Sequence, residues 1–247
     1  MAANASSGRL KPVQRTRLAD LAYEAIRASL VSGGFAMGER LVEMQLAADL
    51  QMSRAPIREA LRQLAAEGIV VERAHQGTFV AELSAADVVD LYNVRVGLEI
   101  TALRLFLKRG ESTDPLHAWI AKMEQAAARG DMPAVVRAEF DFHRHIVEHA
   151  ENRVLADLFT GLEGRLMLAL TLDDASFEQL HDIASEHLPV VEAIESANEM
   201  RAIRVFQHHL LSTVGDAIER LGGDRSTLLE PYPERAPRRA AAKKPRG

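Results

Sequence analysis

The sequence predicts a mainly α-helical chain with one short β-hairpin, divided into a small N-terminal unit and a longer all-α unit. Three observations predict it. Apolar residues recur at helical spacing from Leu18 to Leu64 and again from Ser84 to about residue 222. The period changes to two only at Ile69-Val70-Val71 and Thr78-Phe79-Val80, on either side of a turn at 72–77. Charge divides the chain in the same way: residues 1–80 hold 10 Lys+Arg against 8 Asp+Glu, residues 81–222 hold 13 against 24, and residues 223–247 hold 7 against 3, within a net charge of −5.

The first 17 residues are polar and without apolar periodicity, which predicts a mobile segment. Leu18, Leu21, Ala22, Ala25, Ile26 and Leu30 then mark an amphipathic helix that Gly33-Gly34 ends. Leu46, Ala47 and Leu50 give a second, short apolar face, and Gln51-Met52 form a break of turn length. A third helix opens at Ser53, whose hydroxyl suits an N-cap, with Pro56 in the first turn where a missing N–H costs little. Ile57, Leu61 and Leu64 share one face of that helix, and Arg54, Arg58 and Arg62 another. Two short helices joined by a tight turn, with arginines at the start of the second, suit the DNA major groove, which is wide enough to admit a helix. The hairpin that follows makes residues 18–81 a winged helix-turn-helix.

The order Met37-Gly38-Glu39-Arg40-Leu41, Leu46-Ala47, Ser53-Arg54-Ala55-Pro56-Ile57-Arg58-Glu59-Ala60-Leu61, Glu67-Gly68-Ile69-Val70 and Gly77-Thr78-Phe79-Val80 resembles the DNA-binding domain of GntR-type bacterial regulators, in the FadR branch. Met37 departs from it, standing where the family has proline. The resemblance implies that Arg54 and Arg58 contact bases or adjacent phosphates, and Ser53, which opens their helix, is counted with them as a DNA-binding residue. It also implies that Arg40 holds a phosphate and that the tip from His75 to Gly77 approaches the minor groove. Gly77 has a physical reason as well, since it permits positive φ and a close backbone approach. Tyr23 suits either DNA contact or packing within the domain.

Beyond Val80 six helices are expected, opening with an N-cap at Ser84 and continuing over about 114–128, 132–150, 152–172, 176–196 and 198–222. Residues 223–247, rich in proline and basic residues, are expected to form a disordered basic tail. Eight of the nine histidines fall in residues 82–222. Helical spacing turns His143, His187 and His209 inward, together with Glu139, while His145 and His149 share an outward side with Asp141. Buried ionisable groups need partners, and a divalent cation satisfies imidazoles and a carboxylate together; zinc, nickel, iron and manganese all suit such a donor set. Six helices of these lengths resemble the FCD effector domain in its shorter form, and the motifs around Glu139, His143, His187 and His209 resemble its Asp/His/His/His metal site. Glu139 stands where that family more often has aspartate, which leaves Asp141 as a competing ligand.

That resemblance implies a small carboxylate effector seated against the metal, with Arg95 as its counter-charge and Arg165 as a second candidate. Arg95 is equally suited to an ion pair with Glu99 one turn away. The function expected is a ligand-responsive transcription regulator, a repressor by family habit, acting as a homodimer on a double-stranded DNA operator. A metal-dependent enzyme with an accessory DNA-binding head is the alternative, although no separate nucleophile or general base is legible. The absence of cysteine excludes disulfides and thiolate metal sites. No apolar run suits a membrane span or a secretory signal, so no membrane partner and a cytoplasmic location are expected.

Overall fold

The computed structural model describes residues 16–31, 33–174, 180–212 and 214–229. Most of the expected mobile N-terminus and most of the expected basic tail lie outside these residues. The head runs α1 (Thr16–Val31), β1 (Arg40–Leu41), α2 (Glu43–Asp49), α3 (Arg54–Ala66), β2 (Val70–Arg73) and β3 (Gly77–Val80). Ala22, Ile26 and Leu30 of α1 meet Leu46 of α2 and Ile57, Leu61 and Leu64 of α3 in one apolar core, closed from below by Ile69, Val70 and Val80. Gln51, at φ 52°, turns the chain between α2 and α3. Ser53 occupies the N-cap position of α3 in extended backbone, but its side chain makes no capping hydrogen bond. At the other end of α3 the Ile69 N–H reaches the Leu64 carbonyl at 3.0 Å and the Gly68 N–H the Ala65 carbonyl at 3.1 Å. That 6→1 closure needs a left-handed residue, which Gly68 supplies at φ 74°.

The wing has one strand more than the sequence predicts. β1 pairs antiparallel with β3, giving the order β1-β3-β2, with Arg40 opposite Phe79. The expected hairpin is β2 and β3, and its tip carries His75 at φ 61° and Gly77 at φ 109°.

The C-terminal unit is a helical bundle: α4 (Ala85–Arg109), α5 (Asp114–Ala128), α6 (Met132–Glu148), α7 (Arg153–Asp174), α8 (Leu180–Ser185), α9 (Leu188–Glu195), α10 (Glu199–Ser212) and α11 (Val214–Arg220). α4 opens with a capping box between Ser84 and Asp87 and closes on Gly110 in the left-handed conformation. Of the single helix expected over 176–196, residues 176–179 lie outside the described residues and the rest is broken at Glu186-His187, because Pro189 has no N–H to continue the ladder and lies instead in the first turn of α9. Residues 223–229, expected to begin a disordered tail, form a turn of 3₁₀ helix at Arg225–Thr227, and the Leu229 N–H reaches Asn93 Oδ1 on α4 at 2.9 Å. Phe106, Phe140, Phe142, Phe159 and Phe206 fill the bundle, and the rings of Phe140 and Phe159 stack at 5.5 Å.

Head and bundle meet along α7. Arg27 of α1 pairs with Glu163 of α7, which also accepts from Arg137 Nη1 of α6 at 3.1 Å. Gly68 and Gly164 each face a side chain of the other unit: a Cβ on Gly68 would lie 2.4 Å from Arg165 Nε, and one on Gly164 2.4 Å from Ile69 Cγ1. Gly164→Ala is therefore expected to overpack the junction, with a cost of about 1–3 kcal/mol in a urea melt. Ile69→Val, which removes the crowded terminal methyl, should recover part of that cost in the double variant. Additive losses would mean that the two residues do not share this contact.

Candidate nucleic-acid interface and metal centre

Arg54 and Arg58 open α3 and point to solvent, with side chains 61% and 51% exposed. Both are tied to Glu43, the first residue of α2: Arg54 Nη2 donates to Oε2 at 2.8 Å, Arg58 Nη2 to Oε2 at 2.9 Å and Arg58 Nε to Oε1 at 3.0 Å. These bonds hold the Glu43 carboxyl down at about 2. Sequence reasoning misses Glu43, because the apolar face that marks α2 begins only at Leu46. Arg40 lies across the wing strand from Gly77, its Nε 3.3 Å from where a Cβ there would stand, so the two are brought together beside the tip that carries His75. Tyr23 packs within the head and donates to Glu67 Oε1 at 2.7 Å.

In the bundle, α6, the α8–α9 break and α10 bring His143, His187 and His209 together, with one ligand atom of each within 4.8 Å of the others. His143 and His187 are fully buried, and His209 is partly exposed. The acceptors fix two of the tautomers. His143 Nδ1–H donates to Glu99 Oε2 at 2.6 Å, and His187 Nδ1–H donates to the Ile183 carbonyl at 2.7 Å, since neither oxygen can donate. Their Nε2 atoms therefore carry lone pairs. His143 Nε2 faces His209 Nε2 at 3.3 Å, while His187 Nε2 and His209 Nδ1 are buried with no hydrogen-bond partner. Burial lowers the pKa of all three, that of His187 to about 3. Neutral imidazoles with converging lone pairs and orphaned nitrogens are the donor set of a divalent metal. Glu139, the fourth ligand expected, is buried one turn before His143 but stands outside the group of converging atoms; its carboxylate acts on Arg95. Asp141, expected on the outer side, is 7% exposed and is ion-paired with Arg137 Nε at 3.3 Å and Arg144 Nη2 at 2.9 Å, although its Oδ1 accepts no hydrogen bond.

The unexpected member of the site is Glu99. It is completely buried and bridges Arg95 Nε at 2.7 Å to His143. Burial opposes its ionisation, but His143 and Arg95 outweigh that and hold its carboxyl down at about 2. The spacing Arg95–Glu99 is legible on α4; the reach from Glu99 to α6 is not. Arg95 is thus committed to Glu99. Arg165 is not gathered with the histidines: it lies exposed at the junction, lining a cavity of about 650 Å³ with Gly68, Glu82, Asp87 and Leu162.

Known proteins divide in the same way. Residues 18–80 match the family model of bacterial regulatory proteins of the gntR family, and residues 90–212 match the FCD domain. A probable D-xylose utilization operon transcriptional repressor of Paenarthrobacter nicotinovorans is 30% identical over 86% of this chain and 94% of its own length. The transcriptional repressor NanR of Salmonella newport is 25% identical over 83% of this chain and 86% of its own. Among solved structures, a putative GntR regulator from Rhodococcus sp. RHA1 superposes with a TM-score of 0.73 at 21% identity, covering 83% of this chain and 98% of that one. These are domains and relatives of transcription regulators and not of enzymes. No helix among the described residues is long and apolar enough to cross a membrane. The chain belongs to the gntR family of bacterial regulatory proteins, and it is a transcription regulator that joins a DNA-binding helix-turn-helix to an FCD effector domain.

Proposed function

We propose that this regulator represses transcription by binding a palindromic operator as a homodimer, and that its bundle senses a small carboxylate held against a divalent cation. The observation that carries the sensing half is the convergence of three neutral histidines, with His187 Nε2 and His209 Nδ1 lacking any hydrogen-bond partner and His143 Nε2 met by His209 Nε2 alone. His143, His187 and His209 would hold the ion, with Glu139 the candidate to complete the set. The ion, when bound, supplies positive charge and open coordination positions for an anionic ligand. Glu99 fixes the orientation and tautomer of His143, the role that a carboxylate behind a ligating histidine plays. Arg95 keeps Glu99 ionised, and its remaining N–H groups are the candidate contact for the effector carboxylate. Two relatives bear the name of repressor. In a homodimer, Val94 on α4 and Val154 and Leu158 on α7 are exposed apolar side chains available for burial.

In the head, Arg54 and Arg58 would read base edges or adjacent phosphates from α3, with Arg40, His75 and Gly77 on the flanking backbone. Coupling between bundle and head runs through Glu163, which Arg137 of the histidine-bearing helix and Arg27 of α1 share. An effector alters DNA binding only if it favours one arrangement of the heads over another, and a shared carboxylate is an element whose partner can change.

Four outcomes are expected. Arg58→Ala should weaken operator binding about five- to a hundredfold, by fluorescence anisotropy, without changing the melting temperature. Unchanged affinity would remove α3 from the reading role. In chelator-treated protein the depressed histidines make stability complete above pH 6.5, the value of a free imidazole, and it should fall as pH drops toward about 3, the folded value of His187. The unfolded chain takes up protons that the buried imidazoles refuse, so each such histidine adds a slope of about 1.4 kcal/mol per pH unit. Saturating zinc, nickel or manganese at 100 times its Kd should add about 2.7 kcal/mol in the same melt near neutral pH, and His187→Ala should abolish the gain. An identical melt with and without metal would count against the ion. Fourthly, Glu163→Gln should retain effector-free operator affinity and shrink the change that an effector acid produces; full retention of that change would place the coupling elsewhere.

A further inference from the structure

Glu43 bears on how the head reads DNA, and this step rests on the assignment of α3 as the recognition helix. α2 begins at Glu43 and α3 at Arg54, so one carboxylate stands where the two helices of the reader start. A guanidinium has two edges able to make paired hydrogen bonds: a side edge, Nε with Nη2, and an end edge, Nη1 with Nη2. Glu43 takes the side edge of Arg58, through Nε at 3.0 Å and Nη2 at 2.9 Å, and also takes Arg54 Nη2 at 2.8 Å. What Arg58 has left is its end-on fork, the shape that matches O6 and N7 of guanine in the major groove.

Charge adds a second consequence. Two exposed arginines at the start of a groove-entering helix would hold any phosphate, because backbone attraction is independent of sequence. With an ionised carboxylate between them, the group of three carries one net positive charge. Holding Arg58 by two bonds also removes rotamers that would otherwise be lost on binding DNA, which lowers the cost of forming the base contact.

We propose that Glu43 is a specificity-determining residue of the head: it holds Arg58 with the end-on fork directed at a guanine edge and suppresses phosphate binding by Arg54 and Arg58 at other sequences. Its contribution therefore lies in the ratio of specific to non-specific affinity and not in affinity itself. A solvated ion pair with no part in reading DNA would leave that ratio unchanged.

The test uses the full chain and two duplexes of equal length: one carrying the sequence the wild-type protein selects from a random pool, the other a scramble of it. Binding of both is measured against salt for wild type, Glu43→Gln and Arg58→Ala, and melting curves check that each variant is folded. Glu43→Gln keeps the side-chain shape and loses the charge. It should tighten binding to the scramble and steepen its salt dependence by about 0.9 in log–log slope for each further phosphate neutralised. The ratio of specific to scrambled affinity should fall on the order of tenfold, a part of one bidentate base contact. Replacing the selected guanine by 7-deazaguanine should penalise wild type more than Glu43→Gln. Equal changes on both duplexes, or no change on either, would overturn the role of Glu43. If Arg58→Ala binds the selected duplex as tightly as wild type, the assignment of α3 itself fails; if only Arg58→Ala loses discrimination, α3 stands and Glu43 does not.

Discussion

The bundle depends on how it buries charge. Arg95, Glu99 and His143 lie in its interior with essentially no access to water, and each is tolerable there only because the next one answers it. Removing any one leaves a buried charge or dipole unmatched, a loss of about 3–5 kcal/mol for a broken buried ion pair. The chain of three fixes more than stability. Glu99 accepts from His143 Nδ1, so the lone pair of Nε2 must face His209 and His187, and the cluster acquires its direction from a residue that is not part of it. α4 and α6 are thereby registered on one another by a polar contact with a required geometry, where apolar packing alone would tolerate a slide.

The same requirement continues to the head. α6 carries His143 on its inner side and Arg137 and Asp141 on the turn before, and Arg137 shares Glu163 with Arg27 of α1. Beside that carboxylate Gly68 and Gly164 make room for the Arg165 and Ile69 side chains of the facing unit, and a Cβ at either glycine would displace them. If Glu163 couples the two units as proposed, a change in the tilt of α6 or α7 reaches the head through that carboxylate and through the tight contact of Ile69 with Gly164.

What is legible in the sequence follows from the range over which each contact acts. Ile57, Leu61 and Leu64, the Ser84–Asp87 capping box and the hairpin turn that ends at Gly77 are fixed by neighbours within four residues, and the reading of 18–81 as a reader with a wing is available from them. The inward aspect of His143, His187 and His209 is likewise available from helical period. Contacts between elements are not. β1 is two residues long, and only its pairing with β3 makes it a strand. The period of α7 assigns Arg165 a face without saying whether head or bundle lies against it. Glu99 is visible as the partner of Arg95 one turn away, but the histidine on its other oxygen is 44 residues distant. The helix break at His187 is readable in principle, since Pro189 cannot donate and must lie in the first turn of a new helix.

Three carboxylates thus each serve arginines in a different solvent setting: Glu99 with Arg95 in the core, Glu163 with Arg27 and Arg137 at the junction, Glu43 with Arg54 and Arg58 on the surface. Solvent decides what each contributes. In the core the pair cannot be exchanged for water, so Glu99 is a structural necessity and its geometry is permanent. At the junction the groups are largely but not wholly buried, with Arg27 and Glu163 side chains 11% and 16% exposed, so the partnership is strong enough to transmit a displacement and weak enough to be altered by one. On the surface water competes fully and such a pair adds little to stability. If Arg54 and Arg58 read DNA as proposed, the Glu43 carboxylate between them has its effect where water is expelled, in the complex with DNA, and its consequence belongs to the choice among sequences.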